Sequence, residues 1–454
     1  MILNTTLHGW TPSVVAHRNV LRSNPRVRWW LTPNAAPRPA SIYARMSETP
    51  ENKLRISLGL FCLALSLLIT DRVATSHADR QSIEDPTGRA MLTFYAALQN
   101  TQRGEWVTRI VHYGDSHVAA DILTGALRRS LQSGFGDAGP GFVLAGKPWP
   151  SYSRAGVSSR ASSGWQADGL TQASLAADRR LGLAGVSLST SRAGEWLSLT
   201  ASGRYFDVYM LKQPGAGALD ISLDAAEWKH NVSLSSSTFT ADYVEVVAPD
   251  DSIHTIEIRT TSSGLIRVFG IAIEGERPGV TYDALGINGA RASRPLQWDW
   301  RLLSSNLERR DPDLIIVAYG SNEVTDSDLD LEEYSANFAT LLKRFREAAP
   351  RASILVLGPP DRAVREGRRW KTASRMAALI GAQRRAALKA GAAFYDLFNA
   401  MGGPGSVERW ATLAQPLAQT DRVHLTAAGY RLVADWLYFE LMQCYSQTKH
   451  ITFS

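Results

Sequence analysis

The rhythm of hydrophobic and polar positions changes twice along this chain. Up to about residue 145 the apolar positions keep helical or buried-strand spacing. A helix is predicted over 86–100, with Asp85 as N-cap and Pro86 in the first helical position. The apolar run 107–113 predicts a strand, and Ile122, Leu123, Ala126, Leu127 and Leu131 share one face of a helix over about 119–132. The tetrapeptide GDSH, 114–117, separates the two.

Between about 146 and 279 helical spacing gives way to short alternating runs, among them VSLST, EWLSLTA, YFDVYML, ALDISL, DYVEVV, HTIEIRTT and LIRVFGIAIEG. Ser, Thr, Gly and Asp punctuate them, which predicts an antiparallel sandwich or jelly roll. From Val280 the first texture returns. TYDALGI, DLIIVAYG, SILVLGPP and AAFYDLF read as strands; 331–348, 371–390 and 426–445 read as helices. Nearly continuous apolar strands alternating with helices predict a parallel sheet covered on both faces. The expected fold is therefore a three-layer, flavodoxin-like α/β core, residues 79–145 and 279–454, interrupted by an inserted β sandwich, residues 146–278.

Residues 1–45 contain six arginines and no acidic residue and have no clear periodicity; they read as a disordered, over-extended start. Without those six, the chain's 49 basic residues fall to 43, equal to its 43 acidic ones, so the formal charge of +6 implies no basic groove and no nucleic-acid partner. Met46 opens an export signal over 46–78: Lys53 and Arg55, an apolar run over 56–70, then Ser76 and Ala78 at a small-residue cleavage site. A helix over that run reaches about 22 Å against a bilayer core of about 30 Å, which favours a signal over a spanning anchor. The expected location is the periplasm or the cell exterior, with membrane attachment only through that segment if it stays uncleaved. Of the two cysteines, Cys62 lies in the apolar run and Cys444 near the end, so no disulfide framework is expected.

Four polar features stand at strand ends or in loops of the α/β portion: GDSH at 114–117, GINGA at 286–290, YGSNE at 319–323 and DRVH at 421–424. In open α/β sheets, ligands bind beyond the carboxyl ends of the strands. Ester hydrolysis by serine needs a hydroxyl, a base, a carboxylate that orients the base, and donors aimed at the developing oxyanion. Ser116, His424 and Asp421 supply the first three, and the backbone N–H groups of Ser116 and Gly289 with the Asn322 side chain supply the donors. Gly286 is an alternative to Gly289 in its block. No metal or organic cofactor is called for.

These four blocks, in this order, resemble those of the SGNH (GDSL-type) hydrolases. The segments GDSHVAAD, FGDAGPGF and GVTYDALGINGA, with a β domain between the first and third, look like the peptidoglycan O-acetylesterases of bacterial envelopes, whose inserted module resembles a carbohydrate-binding jelly roll. The resemblance implies an esterase that removes acetyl groups from a wall glycan; separately, a monomer is expected. An O-acyltransferase using the same triad, a longer-chain lipase or thioesterase, and a non-catalytic glycan-binding scaffold are the competing readings.

Other residues carry blander expectations. Asp115 reads as a tie for its turn, and Glu323 as a supporting partner or a solvated carboxylate. His112 and His117 lack acidic or cysteine companions at metal-ligand spacing, and His117 reads as lining the entrance. Trp165, Trp196 and Trp228 could stack on sugar rings but suit a sandwich core better. The run REGRRWK, 365–371, reads as a solvated helix face rather than a glycan contact.

Overall fold

The computed structural model describes residues 82–171, 178–226 and 229–448. The segments read as an over-extended start and an export signal, with Cys62 and Trp228, lie outside them. Among the described residues no helix is long and apolar enough to cross a membrane.

The chain runs through α1 (Leu92–Gln102), β1 (Val107–Gly114), the one-turn α2 (Ser116–Ala119) and α3 (Leu123–Phe135). Strands β2 (Gly141–Val143), β3 (Val157–Ala161), β4 (Gln166–Asp168), β5 (Ser187–Thr190), β6 (Trp196–Ser202) and β7 (Tyr205–Lys212) follow. Next come β8 (Ala218–Leu223), β9 (Lys229–Ser233), β10 (Thr240–Val247), β11 (Ile253–Thr260) and β12 (Ile266–Glu274). The α/β pattern then resumes with β13 (Gly279–Gly286), α4 (Trp300–Arg310), β14 (Leu314–Ala318), α5 (Leu331–Ala348) and β15 (Ser353–Leu357). A hairpin, β16 (Ala363–Glu366) and β17 (Arg369–Thr372), leads to α6 (Met376–Lys389), β18 (Ala393–Tyr395), the short α7 (Leu397–Ala400) and α8 (Ser406–Ala411), and the closing α9 (Ala427–Thr448).

The core sheet is parallel, in the order β13-β1-β14-β15-β18. Numbered by first appearance this is 2-1-3-4-5, the flavodoxin-like order whose topological switch lies between β1 and β14. Alternation along each strand feeds two apolar layers. Val111, Tyr113, Ile315, Val317, Ile354 and Val356 pack with α4, α5 and α6, whereas Ile110, Leu314, Ile316, Leu355 and Leu357 pack with α1, α3 and α9. The parallel α/β core expected from the sequence is present.

The insert forms two antiparallel sheets, β10-β7-β12-β5-β4 with β2 added against β12, and β3-β6-β11-β8-β9. Leu197, Leu199, Phe206, Val208, Ile256, Ile258, Val268 and Ile271 fill the space between them. The outer face of the first sheet is not free: Phe142, Tyr209, Leu211 and Phe269 join the same apolar layer as Val111 and Tyr113. A buried ion network reinforces that seam. Arg310 of α4 donates to Asp283 of β13 through Nε at 2.6 Å and Nη2 at 3.0 Å, and also pairs with Glu274 of β12. Arg109 of β1 grips the same Glu274 through two bonds of 2.8 Å.

Several elements depart from expectation. Residues 86–100 do not form one helix: Gly88 N–H closes a turn on the Asp85 carbonyl, Gly88 holds φ +65, and the helix starts only at Leu92. The helix expected over 119–132 is broken at Asp121, whose φ of +50 separates α2 from α3. Asp121 adopts this costly conformation while buried between Arg128, at 3.2 Å, and Arg154, at 2.7 Å. Residues 365–371 form a hairpin rather than a helix face, because Gly367 at φ +58 lets Glu366 pair with Arg369 across a tight turn. The following helix therefore begins at Met376, not near 371. Antiparallel pairing also begins at β2, ahead of residue 146.

Candidate active site

β1 ends where a side chain has no room. A Cβ on Gly114 would meet Val118 Cγ2 at 2.4 Å and the Ala318 carbonyl oxygen at 2.8 Å. Glycine there lets the chain turn sharply into α2. Asp115 caps that turn: its Oδ1 accepts from His117 N–H at 3.0 Å, and its carbonyl accepts from Val118 and Ala119 N–H at 3.1 Å. Ser116 is thereby presented as the first residue of α2. Burial pushes the Asp115 carboxyl up to about 7, so it is largely protonated in mildly acidic solution.

Ser116 Oγ lies 2.9 Å from His424 Nε2, and His424 Nδ1 lies 2.7 Å from Asp421 Oδ2. The other Asp421 oxygen accepts from the N–H groups of Val423 at 2.9 Å and His424 at 3.0 Å, so one short loop fixes both side chains. Partial burial pulls the Asp421 carboxyl upward, but its hydrogen bonds with His424 and Val423 outweigh this and hold it below the usual carboxylate range. The loop is strained at Arg422, a non-glycine residue at φ +56. Arg422 Nε is tied to Glu408 at 2.7 Å.

Flanking Ser116 are the loops after β13 and β14, the two strands that pair with β1. Gly286 and Gly289 do different things there. A Cβ on Gly286 would stand 2.3 Å from Ala119 N, so this glycine permits close packing of β13 on α2. Gly289 holds φ +72 with nothing within 4 Å of its missing side chain. Among the described residues, the N–H groups of Ser116 and Gly289 donate to no protein acceptor. Asn322 Nδ2 donates to the Ala290 carbonyl at 2.9 Å, which leaves its second N–H uncommitted.

Glu323 is not a solvated carboxylate. It is buried, its Oε1 accepts from Ala292 N–H at 2.7 Å, and burial raises its pKa. It therefore ties the Gly289 loop to the Asn322 loop. Motif spacing pointed to this position, but its role is visible only through the partner loop. Sequence reasoning misplaced His117 as well. Rather than lining an entrance, it is buried behind the serine, with Nδ1 2.9 Å from Tyr430 Oη and its ring centroid 5.5 Å from that of His424. Burial first, then the nearby His424 and Arg362 charges, push His117 down to about 3, so it is neutral. His112, also buried, has Nδ1 2.7 Å from Tyr282 Oη, and burial pushes it to about 3 too.

In the insert, Trp165 is half-buried against the sandwich core, and its Nε1 donates to the Trp196 carbonyl at 3.1 Å.

The GDSL-like lipase/acylhydrolase family matches residues 269–432, a span that holds Gly289, Asn322, Asp421 and His424 but starts after Ser116. The fold also matches a solved structure described as "Peptidoglycan O-acetylesterase in action, 5 min", at 26% identity and TM-score 0.67, over 78% of this chain and 96% of that one. Lower similarity extends to a family two carbohydrate esterase from Cellvibrio japonicus, at 14% identity and TM-score 0.26, over 64% of this chain and 99% of that one. No curated protein matches. The second half of the core is thus similar to the GDSL-like lipase/acylhydrolase family, and the fold of core and insert together is similar to that of a peptidoglycan O-acetylesterase.

Proposed function

We propose that the protein is a serine esterase that removes acetyl groups from a cell-wall glycan, most specifically O-acetylated peptidoglycan. The observation that carries this reading is the unbroken relay from Ser116 Oγ through His424 to Asp421, with contacts of 2.9 and 2.7 Å. His424 Nε2 takes the Ser116 proton as Oγ attacks the ester carbonyl, and Asp421 holds the imidazole in the right tautomer and stabilises the imidazolium. The tetrahedral oxyanion lies against the N–H groups of Ser116 and Gly289 and the free N–H of Asn322. The protonated His424 then donates to the departing sugar oxygen, which leaves an acetyl-serine. Water, deprotonated by the same ring, attacks that intermediate and releases acetate and free Ser116.

The likeness to a peptidoglycan O-acetylesterase over both core and insert favours the wall substrate over a simple lipid ester. The export segment read at 46–78 supports a reaction in the periplasm or at the cell exterior. The test is acetate release from O-acetylated peptidoglycan and from p-nitrophenyl acetate, with Ser116→Ala as control. Release from both, abolished in the variant, is expected. A folded protein that releases acetate from neither would overturn the reading.

A further inference from the structure

The charged run at 365–371 belongs to no part of the relay, yet the fold sets it against the relay's loop. Ala363 N–H, at the start of β16, donates to the Arg422 carbonyl at 3.0 Å, between Asp421 and His424. The Arg422 guanidinium lies 5.3 Å from the centroid of the half-buried Trp370 ring of β17. Arg362, the residue before the hairpin, donates to the Ser321 carbonyl at 2.5 Å, next to Asn322. The hairpin is thus anchored to both the base loop and the amide-donor loop.

Its charge is lopsided. Arg362, Arg365, Arg368 and Arg369 make no ion pair with a described carboxylate, and the one acid in the hairpin, Glu366, is taken by Lys371 at 2.7 Å. Residues 365–369 are all exposed. The folded part of the chain carries no general basic excess, so this is a local concentration of cations beside a half-exposed Asp–His pair. Exposed guanidinium groups without an ion-pair partner suit carboxylates, which they can bind with two parallel hydrogen bonds.

We propose that this hairpin selects acetylated glycans that carry carboxylates near the ester, such as the lactyl or peptide carboxylates of a wall polymer, over neutral acetylated glycans. The proposal rests on the esterase reading and names the substrate class of the same site. Arg365, Arg368 and Arg369 would act as specificity residues: they hold the polymer's acid groups while the ester reaches Ser116, and take no part in bond making or breaking.

The test compares soluble O-acetylated peptidoglycan fragments with the same fragments after their carboxyl groups have been converted to methylamides. The wild-type protein should show a kcat/KM about five- to tenfold higher on the acidic form, carried mainly by KM, and lose most of that preference between about 0.01 and 0.15 M salt as the screening length falls from about 30 to 8 Å. The triple variant R365S/R368S/R369S should bring the acidic-to-amidated ratio close to one, and R365K/R368K/R369K should restore much of it. A triple-serine variant that keeps the wild-type ratio would overturn the proposal, as would a wild-type protein that prefers the amidated form. Co-sedimentation of the Ser116→Ala protein with both polymers reads the same preference without turnover. A protein that cleaves no ester yet binds the acidic polymer preferentially, through these arginines, would therefore break the esterase reading and leave the recognition by the hairpin standing.

Discussion

The two ends of β1 bury charge in opposite ways. At its carboxyl end Asp115 is buried with no ion-pair partner among the described residues, and burial pushes its carboxyl up to about 7. Near its amino end, Glu274 of the insert sits between Arg109 and Arg310; burial pushes it up, but the two guanidinium groups outweigh that and hold it at about 2. The comparison separates two uses of a buried acid. The seam acid is ionised and holds two sheets together, whereas the site acid tends toward neutrality and shapes a turn. A neutral Asp115 adds little negative charge beside the serine, so Asp421 remains the anion that acts on His424.

The sharpest way to separate the two ends is to remove the hydroxyl at one of them. Ser116→Ala should lower kcat on p-nitrophenyl acetate by about 10³-fold or more while moving stability by less than about 1 kcal/mol, read from turnover and thermal melting together. Asn322→Ala should cost about 10²- to 10³-fold in kcat, because in the proposed mechanism it removes one of three donors to the oxyanion. At the seam the expected loss is structural. Asp283→Ala removes one of the two carboxylates that hold the buried Arg310 and should destabilise the protein by about 3 kcal/mol in denaturant melts, with esterase kcat little changed under conditions where the variant stays folded.

The smallest effects are those of pH, and their signs are opposite. Glu274 has a folded pKa below its unfolded one, so its contribution is fully present above about 4.5 and disappears as pH falls toward 2. Asp115 has a raised folded pKa, so the folded state binds its proton more tightly and stability falls as pH rises from about 4 to 7. Asp115→Asn should consequently gain melting temperature relative to wild type by a few degrees across that interval, with the difference level above it. A difference that narrows with rising pH would show that Asp115 is ionised in the folded protein.

The same contrast explains how much could be read from the sequence. Ser116, Asn322, Asp421 and His424 could be brought forward as candidates from the sequence because each sits just after a strand or just before a helix, where local apolar periodicity locates the backbone and side-chain chemistry suggests the task. The seam was not. Arg109, Glu274, Asp283 and Arg310 come from four separate elements, and no spacing announces that they meet. The hairpin was misread because its exposed residues show no apolar alternation, so only the turn at Gly367 distinguishes it from a polar helix. Helix α4 was overlooked although Leu302, Leu303, Asn306, Leu307 and Arg310 form its buried stripe; two of those five are polar, which blurs the period. Glu323 and His117 had the right addresses, but their tasks depend on loops distant in the chain.

The placement of the sandwich has a consequence for how the protein comes to be active. β1, which leads to Ser116, pairs in parallel with β13, which leads to Gly289, and the entire insert lies between them in the chain. Closing that parallel pair carries the entropy cost of a very long loop unless the sandwich has first gathered its ends. Folding should then proceed from the antiparallel sheets outward, with Ser116 meeting the Gly289 and Asn322 loops among the last events. During refolding from denaturant, recovery of esterase turnover should lag behind recovery of sheet signal, so the onset of activity would time the joining of the two halves of the core.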